Sequence, residues 1–284
     1  MKIHIVTDME GVTGVYDFDN HCTESGRYWE KARRLLTLEV NAACEGFFEG
    51  GADEVQVVIG HHFESIDREL LDRRAVLLNG RGDRLYPNGL DDNCDALAFV
   101  GQHAKAGTSY AHLAHTGNIY TTDQRINALS IGEYGATALC AMELGIPTIF
   151  ASGDRALAEE AEALTPGVVT VYGKWGRCSD NGVSQSMDVK TYENYNLASV
   201  QLSPEVVREK IRAGAKAAVE KLLREPESFH YPDIKPPYYL VREHRGNNEQ
   251  LPFALVGESN SVSDAFNKMY SADNKRIPLD QVKM

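Results

Sequence analysis

Acidic and imidazole side chains gather at the ends of apolar runs in this chain. Asp8 and Glu10 close the run "KIHIVTDMEG", His61 and His62 follow "EVQVVIG", His103 follows "ALAFVGQ", and Glu133 follows "INALSIG". Strand side chains alternate faces, so residues two apart share one. Asp8 and Glu10 are then expected on the same side. Two carboxylates so placed repel, and one titrates abnormally unless something positive lies between them. Carboxylate oxygens and imidazole nitrogens are the ligands of catalytic zinc, and manganese or cobalt accept the same set. Three carboxylates and two imidazoles exceed what one tetrahedral zinc with an open position can use. Two metals about 3.5–4 Å apart, bridged by a carboxylate, would use them all. The competing reading is that these side chains cap loops or pair with Arg or Lys.

Other residues are candidates for handling a substrate. His112 and His115 lie in "SYAHLAHTGN", where Thr116-Gly117-Asn118 reads as a loop. One of them is a candidate general acid/base or carbonyl-polarising group. Lys174, just past "VVTVY", and Asn127, in "INALSI", are candidate substrate-binding residues. His21, His230 and His244 read as surface residues, and His4 as a strand residue without a role. Gly11-Val12-Thr13-Gly14 lacks the glycine count and GK[ST] ending of a phosphate loop. No GxSxG is present, and Cys140 sits inside an apolar helix, a poor setting for a nucleophile.

The elements that must position these groups alternate between the two periods. Helical spacing covers 27–49 and stops at Gly50-Gly51, covers 133–144 before Gly145-Ile146-Pro147, and covers 154–164. Short apolar strands are expected at 54–59, 74–78, 95–101, 126–131, 147–151 and 168–172. Residues 176–200 are polar and irregular, a loop or a lid. Ser203-Pro204 opens a helix to about Arg224, and the Pro-rich stretch 226–237 reads as a linker. Strands near 238–242 and 252–256 and a helix near 261–270 follow. The alternation predicts an α/β fold with a mostly parallel open sheet flanked by helices, and a smaller C-terminal α+β part. The expected division is a metal-binding catalytic domain over 1–175 and a C-terminal part over 176–284.

Bulk properties narrow the function. The net charge of −12 opposes nucleic-acid binding, which needs clustered Lys and Arg. No apolar run approaches the ~18 residues that span a bilayer, and the chain enters a strand without a leader pattern. A cytoplasmic protein is expected. The five cysteines are scattered without a CxxC pair, which argues against a disulfide framework and a thiolate zinc site.

The segments "TDMEGVTG", "EVQVVIGHH", "GLDDNCDALAFVGQHA", "AHLAHTG" and "INALSIGEYG", in this order, resemble the D-aminopeptidase family of metallopeptidases (peptidase family M55, DppA type). The likeness covers about residues 1–175, with weaker support from "LSPEVVREKIRAGAKAAVEK". Ile59 stands where the family commonly has an aspartate. The resemblance implies a two-zinc aminopeptidase. Asp8, Glu10, His61, His103 and Glu133 match the family's metal-ligand positions, and His115 matches the histidine proposed to act in catalysis. It also implies a ring-shaped homodecamer with active sites facing an inner channel. The expected activity is removal of N-terminal D-residues from small peptides or amides by a metal-activated water. A binuclear hydrolase of a cyclic amide, lactone or phosphoester is the alternative, followed by a non-catalytic metal-binding ring protein.

Overall fold

Short β-branched and aliphatic runs form the centre of the molecule. The computed structural model describes residues 1–80, 84–246, 251–271 and 274–282. Twelve strands are found among them: β1 (Lys2–Thr7), β2 (Glu54–Val58), β3 (Val76–Leu78), β4 (Ala96–Gln102), β5 (Thr121–Ile126), β6 (Leu129–Ser130), β7 (Thr148–Asp154), β8 (Val169–Gly176), β9 (Ser199–Gln201), β10 (Tyr238–His244), β11 (Phe253–Ser259) and β12 (Lys275–Pro278). The helices are α1 (Phe18–His21), α2 (Trp29–Gly50), α3 (Glu133–Leu144), α4 (Arg155–Leu164), α5 (Val189–Tyr195), α6 (Pro204–Arg224) and α7 (Val262–Tyr270).

The larger sheet runs β3-β2-β1-β4-β7-β8-β9. All its pairings are parallel except β8 with β9. Every residue of β4 is buried, as a central parallel strand covered on both faces requires. Alternation along the strands splits the core in two. Ile3, Ile5, Val55, Val57, Ala98 and Val100 face α2 and α6. Val6, Val58, Leu97 and Phe99 face α3, α4 and α7. Gly46 lets α2 and α6 approach closely, since a Cβ there would lie 2.2 Å from the Arg212 carbonyl oxygen. The smaller sheet is antiparallel, in the order β12-β11-β10-β5-β6.

The mostly parallel α/β architecture agrees with the sequence pattern, and five expectations change. The expected strand 126–131 is a hairpin: β5 ends at Ile126, Asn127 and Ala128 turn with φ of 45° and 68°, and β6 follows. An apolar run cannot by itself reveal a turn whose residues are forced to positive φ by strand pairing. Residues 176–200 hold α5 and β9 rather than a structureless loop. The Pro-rich stretch is anchored, with Tyr231 Oη donating to the Ile146 carbonyl at 2.7 Å. The chain does not divide at residue 175: β9 pairs with β8, α6 packs on α2, and β5 joins the sheet of β10. His21 and His244 are buried rather than on the surface.

Candidate metal centre

The order of the larger sheet reverses between β1 and β4, with β2 on one side and β7 on the other. Such a switch point opens a crevice beyond the carboxyl ends of the strands. Asp8, His61 and His103 lie past the ends of β1, β2 and β4, and Glu133 opens α3 beside them. β1 stops at Thr7, so Asp8 and Glu10 converge through the turn that follows rather than by strand alternation. That turn lies against the end of β4, with Asp8 N–H donating to the Val100 carbonyl at 2.9 Å and Gly11 N–H to the Gly101 carbonyl at 2.7 Å. Only glycine fits at position 11, where a Cβ would lie 2.0 Å from the Gln102 carbonyl oxygen.

The side chains meet over a cavity of about 320 Å³. His61 Nδ1 lies 3.1 Å from Asp8 Oδ1 and 3.2 Å from Glu10 Oε2. His103 Nε2 lies 3.2 Å from Asp8 Oδ2 and 3.4 Å from Glu133 Oε1. His115 Nε2 lies 3.7 Å from Glu133 Oε1, and its ring stacks on that of His103 at 3.9 Å. The far nitrogen of each ring is already used. His61 Nε2 meets the Cys22 carbonyl at 2.8 Å, His103 Nδ1 the Ala104 carbonyl at 2.9 Å, and His115 Nδ1 the Leu113 carbonyl at 2.9 Å. A carbonyl only accepts, so those nitrogens carry the N–H. In the neutral ring the other nitrogen then offers a lone pair toward carboxylates that are themselves acceptors. Imidazoles held this way are the usual second-layer arrangement of metal ligands. Glu10 Oε2 and His103 Nε2 are buried without a hydrogen bond, and both orphaned atoms face this convergence. Two groups, Asp8-Glu10-His103 and His103-His115-Glu133, each offer ligand atoms within 4.8 Å of one another. The donor set therefore fits a pair of divalent cations.

A family model described as D-aminopeptidase matches residues 1–240. The chain belongs to the D-aminopeptidase family, peptidase M55. A D-aminopeptidase from Bacillus subtilis (strain 168) is 32% identical over 172 residues, 60% of this chain and 62% of that relative. The match thus spans less than two thirds of the relative's length. The solved structure of the Zn-dependent D-aminopeptidase DppA from Bacillus subtilis, a self-compartmentalizing protease, has the same fold. It aligns with a TM-score of 0.75 at 23% identity, over 94% of each chain.

In this D-aminopeptidase-family chain the charges at the site are strongly coupled. Burial pushes the Asp8 carboxyl up, but His103 and His61 outweigh it and hold it well below the usual carboxylate range. Burial likewise raises Glu133, and His103 reverses this to about 2. Burial lowers His61 and His103, yet Glu10 and Asp8 around the first, and Glu133 and Asp8 around the second, drive both well above an ordinary imidazole. In the metal-free chain the two imidazoles thus take the charge that cations would supply. His115 differs: burial and then the neighbouring His103 push it down, so it stays neutral. Leu113, whose carbonyl fixes the His115 ring, has φ of 56°, a strained value for a bulky residue.

The structure separates the remaining candidates. His62 is exposed, while His61 turns toward the acids. His112 is buried outside the cavity wall, its Nε2 3.2 Å from the Tyr16 carbonyl, and burial then Lys174 lower it to about 2. Lys174 is not a substrate-binding cation in this fold. It is wholly buried, with Nζ donating to the carbonyls of Glu10 and Val15. Asn127 is a hairpin-turn residue whose amide is committed to Lys235, Pro237 and Tyr239, and it does not line the cavity. Sequence reasoning missed Gln102, whose Nε2 donates to Asp8 Oδ2 at 2.7 Å. Its place beside His103 at the end of β4 was the available signal. It also missed Tyr86, Asn88 and Tyr270 in the cavity wall; for Tyr270, from the C-terminal helix, no sequence signal existed.

Behind the acidic turn, burial pushes the Glu39 carboxyl up to about 7, which the Thr13 N–H and Lys174 only partly offset. The folded state therefore holds this proton more tightly than the unfolded chain. The resulting stability is complete below about 4.5, the ordinary glutamate value, and is lost as pH rises through about 7. Glu39→Gln stays neutral throughout. Relative to the parent chain it is expected to gain stability between pH 4.5 and 8, by up to about 3 kcal/mol. Urea unfolding of both proteins at the two pH values measures this, and a difference that does not change with pH contradicts it.

Proposed function

We propose that this chain is a zinc-dependent aminopeptidase that removes N-terminal D-residues from small peptides or amides. The observation that carries the reading is the orientation of His61, His103 and His115, each anchored to a backbone carbonyl and turned toward Asp8, Glu10 and Glu133. Asp8, Glu10, His61, His103 and Glu133 are the residues that would hold two zinc ions. Bound there, the pair supplies a Lewis acid and a hydrolytic water at neutral pH. Neutral His115, in the cavity wall, hydrogen-bonds the substrate carbonyl region and moves a proton.

Among the described residues no Lys or Arg lines the cavity, which disfavours phosphoesters. The Bacillus subtilis relative's self-compartmentalizing character supports a ring-shaped homo-oligomer. A panel of D- and L-aminoacyl amides, D-dipeptides, a lactone and a phosphomonoester tests the activity. Zinc-dependent release of N-terminal D-residues, at least about tenfold faster than L, is expected, the discrimination that even one misplaced methylene in a pocket produces (about 1–3 kcal/mol). Turnover confined to the lactone or phosphoester overturns the reading.

A further inference from the structure

The turn that carries Glu10 is held from behind by side chains of four separate segments. Lys174 of β8 donates from Nζ to the Glu10 carbonyl and, at 3.3 Å, to that of Val15. Glu39 of α2 accepts from Thr13 N–H at 3.0 Å. Gln201 of β9 accepts from Gly14 N–H at 2.7 Å and donates to the Val15 carbonyl at 3.0 Å. His112 Nε2 meets the Tyr16 carbonyl at 3.2 Å. Gly173, just before Lys174, leaves room for the turn: a Cβ there would lie 2.0 Å from Thr13 Oγ1.

Lys174 is the unusual member. A fully buried ammonium normally takes a carboxylate partner, because an unpaired buried charge is strongly disfavoured. Here it makes no ion pair among the described residues, and its hydrogen bonds go to two backbone carbonyls of one turn. Those bonds draw residues 10 and 15 together and close the turn on itself. They also fix the peptide that follows Glu10. The backbone there sets the direction of the Glu10 carboxylate, whose Oε2 lies buried 3.2 Å from His61 Nδ1.

We propose that Lys174 is a positioning residue that holds the Glu10 turn in its metal-receiving shape before any ion binds. The inference rests on the two-zinc reading. It gives Lys174 a role through Glu10 and gives β9, at the end of the polar segment 176–200, a role through Gln201.

The test compares full-length parent, Lys174→Met and Gln201→Ala proteins. Zinc affinity is measured by chelator competition, and amide hydrogen exchange over residues 11–16 is measured on the metal-free proteins. Lys174→Met is expected to weaken one of the two zinc sites by about 10–100-fold, the range for lost outer-shell partners, and to leave the other unchanged. Exchange over 11–16 is expected to accelerate about tenfold or more as the carbonyl anchors go. Gln201→Ala shifts both readouts in the same direction, and it decides the matter if Lys174→Met does not fold. Parent-like affinity at both sites with unchanged exchange overturns the proposal, even if the melting temperature falls, because that pattern marks a purely structural lysine. If the parent chain binds no zinc, the two-zinc reading fails on its own, and the exchange measurement still decides whether Lys174 holds the turn.

Discussion

Replacing His115 with alanine is expected to leave about two zinc ions per chain while lowering kcat by about 100-fold or more, the usual scale of a lost general acid/base. The structure makes two roles available to this ring. It groups with His103 and Glu133 closely enough to be a ligand. It is also the one imidazole of the three that burial and the adjacent His103 keep neutral. Its Nδ1 hydrogen is committed to the Leu113 carbonyl, so Nε2 alone faces the cavity. Stacking on His103 and the edge of Phe18 at 5.4 Å hold the ring still. A group so fixed acts on a substrate without reorganising. Zinc content by inductively coupled plasma mass spectrometry, alongside kcat on a D-aminoacyl amide, separates the roles. Loss of one zinc would make His115 a ligand. Retained zinc with parent-like turnover would leave it no part in the reaction.

Asp8→Ala is expected to remove both ions and all measurable turnover, whereas Glu10→Ala removes chiefly one. The reason is the division of contacts. Asp8 Oδ1 reaches His61, and Asp8 Oδ2 reaches His103 and the Gln102 amide. It is the one acid of the three that contacts both His61 and His103, so its loss would take a donor from each half of a metal pair held there. Among the described residues the Glu10 carboxylate is within ion-pair distance of His61 and of no other imidazole. Zinc analysis of the two purified variants gives the answer. If Asp8→Ala keeps one ion at parent affinity, the two positions are independent and no bridge exists. The chelated parent is expected to melt at a lower temperature than the loaded one, because ions that bind only the native cluster stabilise it by mass action.

Much of this site was legible because a parallel sheet sends functional residues to one edge. Asp8, His61 and His103 each follow an apolar strand of the parallel sheet, and those strands end on the same side of it, while Glu133 follows the β5–β6 hairpin of the smaller sheet and reaches the site as the first residue of α3. The helical spacing from 133 and the glycine that closes it, Gly145, put Glu133 at the first position of α3. Local signals of this kind survive translation into structure because they depend on backbone sterics over a few residues. Other assignments required distances that no spacing encodes. Lys174 and Asn127 have the chemistry of substrate contacts, and each is consumed elsewhere, one under the Glu10 turn and the other in a hairpin.

The sequence by itself determined the alternating elements and the set of acids and imidazoles at strand ends. Periodicity, charge and turn chemistry act locally or in bulk, so they can be read without coordinates. The resemblance had favoured His61 and His115; the tertiary structure turns His61 rather than His62 toward the acids, sets His115 rather than His112 in the cavity wall, and alone decided that Tyr270 joins that wall. It also decided that the chain after residue 175 is woven into both sheets rather than set apart. These outcomes depend on which distant segments pack together, and burial then selects, among chemically equivalent side chains, the ones that meet.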